Sequence, residues 1–219
     1  MPLSAYLKAG FFLVAAAVAL FAAAGTGAIP EFWIYLAILA AVLIVSFATL
    51  DPDLLRERMR PGGRKPPLSL RFFSLVLFMH WIVAGVDRGR FHWSDNVPVW
   101  LQGVCLFLIA AGYALALWAM RVNRFFSSVI RIQTDRGQHL ITTGPYAFIR
   151  HPGYTAGLVI IAASGPALGS WFATALVVIF GLPFLLHRTV TEDRILQSEL
   201  AGYSDYAARV RWRLFPGLW

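Results

Sequence analysis

Two polar stretches in this largely apolar chain contain the side chains that could do chemistry. The first covers residues 133–154 and the second covers residues 188–219. Both mix Gly, Pro, Tyr and Arg, and the first also contains His, a combination that a plain connecting loop rarely needs. Arginine and histidine can bind carboxylates, and a glutamate can accept hydrogen bonds from an amine or act as a base. These stretches are therefore the candidates for a binding or catalytic site.

In the first stretch, Arg150 and His151 precede a Pro-Gly pair. Pro152 fixes φ and disfavours helix at His151, while Gly153 permits a sharp entry into the apolar run that follows. Free N–H groups at the start of a helix attract carboxylates, so the Arg, the His and the helix start could share one anion. The alternative is a basic loop that anchors the chain to lipid headgroups.

In the second stretch, Arg188 and Glu192 stand four residues apart. If the preceding helix continues through them, they lie on one face, at a membrane boundary where ionisable residues are often functional. The alternative is an ordinary ion pair with the Arg reaching towards headgroups. Asp193 and Arg194 are predicted to point elsewhere, on a solvated face.

The elements that must position these residues are predicted to be membrane-spanning helices. Of the 219 residues, 58% are hydrophobic and 14% are charged, against about 25% charged in a soluble domain. A helical span needs roughly 20 apolar residues, and the six candidates are residues 9–29, 32–50, 68–86, 97–120, 154–168 and 171–187. The last two are predicted to form a tight hairpin. The predicted fold class is all-α, a polytopic transmembrane helical protein of about six spans.

The basic residues fall on one side of these spans. If the N-terminus is cytosolic, every Lys and Arg except Arg88 and Arg90 lies in or beside a cytosolic segment. Positive charge is enriched in cytoplasmic loops, so both termini are predicted to be cytosolic. We expect the net charge of +8 to meet membrane lipids and not nucleic acid. A single cysteine, Cys105, gives no Cys-rich metal cluster, and no metal site is predicted.

The sequence GPYAFIRHPGY, followed by the hairpin, RTVTED and the terminal YSDYAARVRWRLFPGLW, resembles the isoprenylcysteine carboxyl methyltransferase family. That family belongs to a wider group that includes membrane phospholipid N-methyltransferases. The resemblance is specific over residues 121–219 and topological over the earlier ones. It implies N-terminal transmembrane helices over residues 1–120, with a cytosolic loop at 51–67, and a methyltransferase core over residues 121–219. The loop DPDLLRERMRPGGRK is similar to that of bacterial members, which implies a bacterial or archaeal inner membrane.

The resemblance also implies a helical fold without a Rossmann domain, with S-adenosylmethionine held between the last two spans and the cytosolic segments. The residues expected to hold this cofactor are Gln133, His139, Leu140, Ile141, Tyr146, Arg150, His151, Pro152, Gly153, Tyr154 and Glu192. Arg188 is implied to face the methyl acceptor, and Arg188 and Glu192 are the predicted catalytic residues. The family often has a His where this chain has Gln138, and a second Glu where it has Asp193.

The predicted function is methyl transfer from S-adenosylmethionine to a lipophilic acceptor that arrives from the bilayer. A carboxylate acceptor needs no general base, because it is already ionised near neutral pH, and Arg188 could orient it. An amine acceptor must be kept neutral, and Glu192 would be the candidate base. Carboxyl O-methylation is favoured. The alternatives are a phospholipid amine N-methyltransferase, a membrane transporter or a lipid-binding protein without catalysis, and a transporter predicts polar residues deep in the spans, where few occur beyond His80.

Overall fold

The computed structural model describes residues 3–63 and 67–219, and over these it contains helices and turns but no β-strand. The α-helices are α1 (Leu3–Ala24), α2 (Pro30–Thr49), α3 (Pro52–Met59), α4 (Leu68–Val86), α5 (Val99–Val122), α6 (Pro152–Ala167), α7 (Trp171–Glu199) and α8 (Tyr203–Arg209). The predicted all-α, polytopic fold is confirmed. Arg64 and Lys65 of the predicted basic loop lie outside the described residues.

Within the described residues, five helices are long and apolar enough to cross a membrane, namely α1, α2, α4, α5 and α7. The remaining predicted span is α6, whose 16 residues extend over about 24 Å. It still connects the two ends of the bundle. Just before α6, the His151 N–H donates to the Arg213 carbonyl at 2.9 Å. Just after it, Ser170 Oγ donates at 2.5 Å to Asp87, at the end of α4.

Helix α7 is longer than the sequence predicts. The apolar pattern predicts an end near His187, whereas the helix continues through Pro183 to Glu199. Proline is tolerated in membrane helices because neighbouring groups satisfy the backbone that it frees. The extension carries Arg188 and Glu192 on a regular helix beyond the apolar part, and this fixes their spacing along one face.

Helices α5, α6 and α7 pack closely through small residues. A Cβ on Gly165 of α6 would lie 2.4 Å from the Thr174 nitrogen of α7. A Cβ on Gly112 of α5 would lie 2.8 Å from the Ile160 side chain and 3.3 Å from the Ala156 carbonyl of α6. Membrane helices associate through such close packing, because the hydrophobic effect does not drive helices together inside a bilayer. These glycines therefore set the position of α6, and with it the residues just before it.

The short helix α3 packs against the bundle, although its amphipathic pattern by itself equally describes a helix that lies along a membrane surface. It begins with an Asp51 cap, whose carboxylate accepts from the Asp53 N–H at 2.7 Å. Its Leu54 is buried in a cluster with Leu117 of α5, and Phe126 packs against that cluster. One face of α3 is thus held beside the loop that follows α5. We call this end of the bundle, which contains α3, the loop after α5 and the chain after residue 188, the site end.

The opposite end of the bundle, where α4 meets the turn before α7, is called the distal end. Asp87 is fully buried there and accepts from the Ser94 N–H at 3.1 Å, from Ser94 Oγ at 2.6 Å and from Ser170 Oγ at 2.5 Å. The next residue, Arg88, pairs with Glu31 of α2 at 2.9 Å. These bonds join α2, α4 and α7, so the distal end is tied together by polar contacts.

Candidate functional site

A cavity of about 290 Å³ opens at the site end between α3, α4, α7 and the loop after α5. Its wall includes every residue that the sequence predicts for the site, namely Gln133, His139, Leu140, Ile141, Tyr146, Arg150, His151, Pro152, Gly153, Tyr154, Arg188 and Glu192. Ligand pockets in proteins usually enclose about 300 to 1,000 Å³, so this volume lies near the lower end of that range. The two polar stretches of the sequence therefore meet around one hollow.

A hydrogen-bonded group at the start of α6 joins it to the extension of α7. The Tyr154 hydroxyl donates to Glu192 Oε2 at 2.7 Å and accepts from Arg188 Nε at 3.3 Å. Arg188 Nη2 also donates to the Ser128 carbonyl at 2.9 Å. Arg188 and Glu192 are therefore linked through Tyr154. They do not form the simple ion pair that is the alternative interpretation of their spacing. Among the described residues, Glu192 Oε1 has no hydrogen-bond partner, so it can accept from a ligand.

Gln133 lines the cavity, but its side chain organises the loop. It is 1% exposed, its Nε2 donates to the Phe125 carbonyl at 2.6 Å, and its Oε1 accepts from the Arg136 guanidinium. Its own N–H donates to Gln138 Oε1 at 2.6 Å. Gln138, where the family often has a His, thus closes the same loop. With these partners in place, the Gln133 side chain fixes the shape of the loop that forms this part of the cavity wall.

The rest of this loop supplies apolar wall and two rings. Leu140 and Ile141 are half-buried, whereas His139 is exposed and stands edge-on to a phenylalanine ring. Tyr146 is buried, and its hydroxyl accepts from Asn123 Nδ2 at 3.1 Å. Burial raises the pKa of Tyr146 above its ordinary value, so this hydroxyl stays protonated and neutral. The wall therefore combines apolar surface with neutral polar groups.

Arg150 is committed to the protein itself. Its Nε and Nη2 donate to the two carboxylate oxygens of Asp193, at 2.9 and 3.2 Å. Its Nη1 lies 3.0 to 3.3 Å from three carbonyls of residues 207–211. A guanidinium has five N–H donors, so these bonds use most of them. The structure thus makes Arg150 a positioning residue for the C-terminal segment, whereas the sequence predicts a ligand for the cofactor carboxylate.

The predicted solvated position of Asp193 is wrong. Asp193 is 1% exposed, and besides Arg150 it accepts from Arg213 Nε at 2.9 Å and from the Tyr203 hydroxyl at 3.0 Å, while His151 Nε2 lies 3.1 Å from it. The cause is the C-terminal segment, which folds back over α7 and covers this face of the helix. Arg194, on the neighbouring face, is exposed as predicted.

Pro152 and Gly153 shape the start of α6. Pro152 is the first helical residue, where its missing N–H and fixed φ cost nothing. A Cβ on Gly153 would lie 2.4 Å from the Phe126 ring, so only glycine leaves room for this ring. Gly153 therefore acts on the cavity by admitting Phe126 to its wall.

Sequence reasoning missed the residues that α3 contributes. Arg58 lines the cavity, and the neighbouring Glu57 is buried. Glu57 Oε1 accepts from Arg131 Nη2 at 3.1 Å and from Ser127 Oγ at 3.0 Å, which fastens α3 to the loop after α5. The only available signal was a charged pair inside an amphipathic segment, and that pattern equally describes a helix on a membrane surface.

The architecture and cavity define a class: a polytopic helical membrane protein with a polar, partly enclosed site at one end of its spans. The model of the isoprenylcysteine carboxyl methyltransferase family matches residues 104–198, from α5 to the end of α7. The Protein-S-isoprenylcysteine O-methyltransferase of Schizosaccharomyces pombe is 26% identical over 105 residues, which are 48% of this chain and 44% of that protein. The predicted resemblance to this family is confirmed over residues 104–198.

Two bacterial relatives have names of another kind. The Cobalt-zinc-cadmium resistance protein CzcN of Cupriavidus metallidurans is 30% identical over 141 residues. The Nickel-cobalt-cadmium resistance protein NccN of Alcaligenes xylosoxydans xylosoxydans is 30% identical over 140 residues. Each match covers 63% of this chain and 60% of the relative. The chain thus spans no more than about 60% of the length of these relatives.

Proposed function

We propose that this protein is a membrane methyltransferase that transfers a methyl group from S-adenosylmethionine to a lipophilic acceptor in the site-end cavity. The observation that carries the proposal is the composition of the cavity wall. Polar residues of the loop and of α7 form one part, and apolar residues of α4 and α7, such as Leu70, Phe73 and Phe184, form another. Such a wall suits a water-soluble donor and an apolar acceptor in the same hollow.

The residues present fit this cofactor. Glu192 Oε1 can accept from its ammonium or hydroxyl groups, and Leu140 and Ile141 offer apolar surface for its base. The cofactor supplies a methyl group on a positively charged sulfur. Transfer of that group to a nucleophile needs mainly alignment and exclusion of water. The shared bonds of Tyr154 with Arg188 and Glu192 hold these side chains in fixed positions, which favours alignment.

Arg188 is the residue that we assign to the acceptor. Its guanidinium is fixed by Tyr154 and by the Ser128 carbonyl, and no carboxylate of the described residues lies within ion-pair distance of it. A fixed guanidinium can orient a carboxylate through two parallel hydrogen bonds. An O-methyl ester is then the favoured product. The phospholipid amine remains the second candidate, because Glu192 has an oxygen available to act as base.

The charge distribution supports a cytosolic site. The described basic residues of α3, the loop after α5 and the chain after residue 188 lie at the site end, whereas Arg88 and Arg90 lie at the distal end. Because positive residues are enriched on the cytoplasmic side of membranes, we place the site end and both termini in the cytosol. S-adenosylmethionine then reaches the cavity from water, and the acceptor reaches it from the bilayer.

Calorimetric titration of the detergent-solubilised protein with S-adenosylhomocysteine tests the cofactor assignment. We expect saturable binding, and its absence from a folded preparation would contradict the proposal. Incubation with methyl-labelled S-adenosylmethionine and a bacterial total lipid extract then tests transfer. Mass spectrometry of the labelled product distinguishes an ester from a methylated amine.

Arg188→Ala and Arg194→Ala form a matched pair for the acceptor assignment, because both remove one Arg from α7. Arg194 is exposed and does not line the cavity. We expect Arg188→Ala to reduce ester formation at least about a hundredfold, since a lost charge-assisted pair costs roughly 3 kcal/mol. Arg194→Ala is expected to retain full transfer. Equal activity of the two variants on an acid substrate would exclude the orienting role of Arg188.

A further inference from the structure

Four arginines of the described chain line the cavity, namely Arg58, Arg131, Arg150 and Arg188. Two of them are neutralised by carboxylates: Arg131 pairs with Glu57 at 3.1 Å and Arg150 pairs with Asp193 at 2.9 Å. The other two have no carboxylate of the described residues within 4.0 Å. A buried or half-buried charge is costly unless it is paired, so two guanidiniums without a carboxylate partner in one hollow indicate a binding site for an anion.

Arg58 is the less expected of the two, because it comes from α3, which lies outside the segment that matches the family. Its guanidinium carbon lies 5.0 Å from the centroid of the Phe126 ring. That contact holds the side chain in place without neutralising its charge. Burial lowers the pKa of Arg58, which is the direction expected for a cation withdrawn from water. An arginine remains charged in proteins even so.

A single loop residue connects Arg58 with Arg188. Ser128 Oγ donates to the Arg58 carbonyl at 3.3 Å, and the Ser128 carbonyl accepts from Arg188 Nη2 at 2.9 Å. The two elements that carry the unpaired guanidiniums are thus attached to the same point of the wall. Phe126, under Arg58, is in turn accommodated by Gly153 at the start of α6. Arg58 is therefore positioned by the same contacts that shape the rest of the cavity.

The charge balance of the cavity decides which ligand Arg58 serves. Glu192 is the only acidic residue among the described residues that line it. The proposed cofactor has one carboxylate, one ammonium and one sulfonium, and so adds a net positive charge. Cofactor and wall together leave an excess of positive charge, which a second, anionic ligand would neutralise. We propose that Arg58 is a specificity residue that binds the anionic group of the lipophilic acceptor, and this rests on the proposed function.

Two amphiphiles that differ only in charge provide the test. Palmitate and hexadecanol have chains of the same length, and their binding to the full-length protein in non-ionic detergent can be compared by calorimetry. We expect the wild-type protein to bind palmitate at least about tenfold more tightly, since charge-assisted bonds are stronger than neutral ones. Arg58→Gln is expected to lower this ratio about tenfold while the affinity for S-adenosylhomocysteine stays within about twofold.

Arg56→Gln is the matched control. Arg56 lies on the same short helix, is exposed and does not line the cavity. Arg56→Gln removes the same charge as Arg58→Gln, so an effect of net charge alone would appear equally in both variants. We expect Arg56→Gln to keep both the palmitate preference and the affinity for S-adenosylhomocysteine. Circular dichroism and size-exclusion chromatography of each variant establish that the fold is retained.

Three outcomes would overturn the assignment of Arg58. The first is an Arg58→Gln variant that loses affinity for S-adenosylhomocysteine and keeps its palmitate preference, since Arg58 would then serve the cofactor. The second is a folded variant in which neither affinity changes. The third needs no variant: equal affinity of the wild-type protein for palmitate and hexadecanol. By contrast, wild-type protein that prefers palmitate but fails to bind S-adenosylhomocysteine would contradict the methyltransferase proposal and leave the anion site standing.

Discussion

Each end of this bundle has one fully enclosed aspartate, Asp87 or Asp193, and the two carboxylates are satisfied in different ways. Asp87 at the distal end accepts from hydroxyls and one N–H, all of them neutral donors. Asp193 at the site end accepts from Arg150 and Arg213, with His151 beside it. Both groups connect distant parts of the chain. A buried acid in a membrane protein is therefore not by itself the sign of a functional site.

The difference lies in the charges that remain unpaired. At the distal end, Arg88 is balanced by Glu31 and Asp95, and Arg90 is exposed to solvent and donates to backbone carbonyls of α1. At the site end, Arg58 and Arg188 face a hollow without such a partner among the described residues. In this bundle, a functional site is therefore indicated by unpaired charge beside a cavity, and not by the number of polar contacts.

The largest effect is expected for Asp193→Asn. This change leaves the buried guanidinium of Arg150 without its counter-charge, and the loss of one partner of a buried ion pair costs roughly 3 to 5 kcal/mol. Unfolding of the protein in mixed detergent, followed by circular dichroism, measures the change. Glu199→Gln, at an exposed position of the same helix, is the control and should unfold as the wild type does. If Asp193→Asn and Glu199→Gln were equally stable, the proposed structural role of Asp193 would be wrong.

Asp87→Asn sharpens the comparison, because it makes the same change at the other end. Its partners are Ser94 and Ser170, whose hydroxyls can rotate to accept from the new amide. We therefore expect a smaller loss of about 1 to 2 kcal/mol in the same unfolding measurement. Methyl transfer should remain intact, since the distal end is remote from the cavity. A loss equal to that of Asp193→Asn would mean that neutral and charged partners stabilise these carboxylates to the same extent.

Glu192→Gln tests the acidic part of the cavity wall. The amide oxygen can still accept from Tyr154, but the charge at Oε1 is lost. We expect the affinity for S-adenosylhomocysteine to fall about tenfold, which corresponds to roughly 1.4 kcal/mol, with stability nearly unchanged. Calorimetric titration gives the affinity, and Glu199→Gln again serves as the control. An unchanged affinity would place the cofactor away from Glu192.

Tyr154→Phe is expected to have the smallest effect. It removes the hydroxyl that joins Arg188 to Glu192 but keeps the ring in place. A hydrogen bond of this kind contributes about 0.5 to 1.5 kcal/mol of free energy, so the rate of methyl transfer should fall by about three- to tenfold. The rate of label transfer into lipid measures it. A loss as large as that of Arg188→Ala would give the hydroxyl a direct part in the reaction.

Much of the fold and of the candidate site follows from the sequence alone. Apolar stretches of sufficient length, separated by basic loops, predict the spans, because only helices satisfy their backbone groups inside a bilayer. The Pro-Gly pair at residues 152–153 predicts the start of α6, and the structure places it there. The spacing of Arg188 and Glu192 predicts a shared face, which the common bond to Tyr154 confirms.

Tertiary structure alone decided which charges are buried and which remain unpaired. Asp193 follows Glu192 directly, yet Asp193 is enclosed by the C-terminal segment whereas Glu192 borders the cavity. Successive residues of a helix point in different directions, and what each of them meets depends on segments that are distant in the sequence. The same holds for Arg58, which reaches the cavity because α3 packs against the end of α5. Periodicity predicts the direction of a side chain relative to its own helix, but only packing supplies its surroundings.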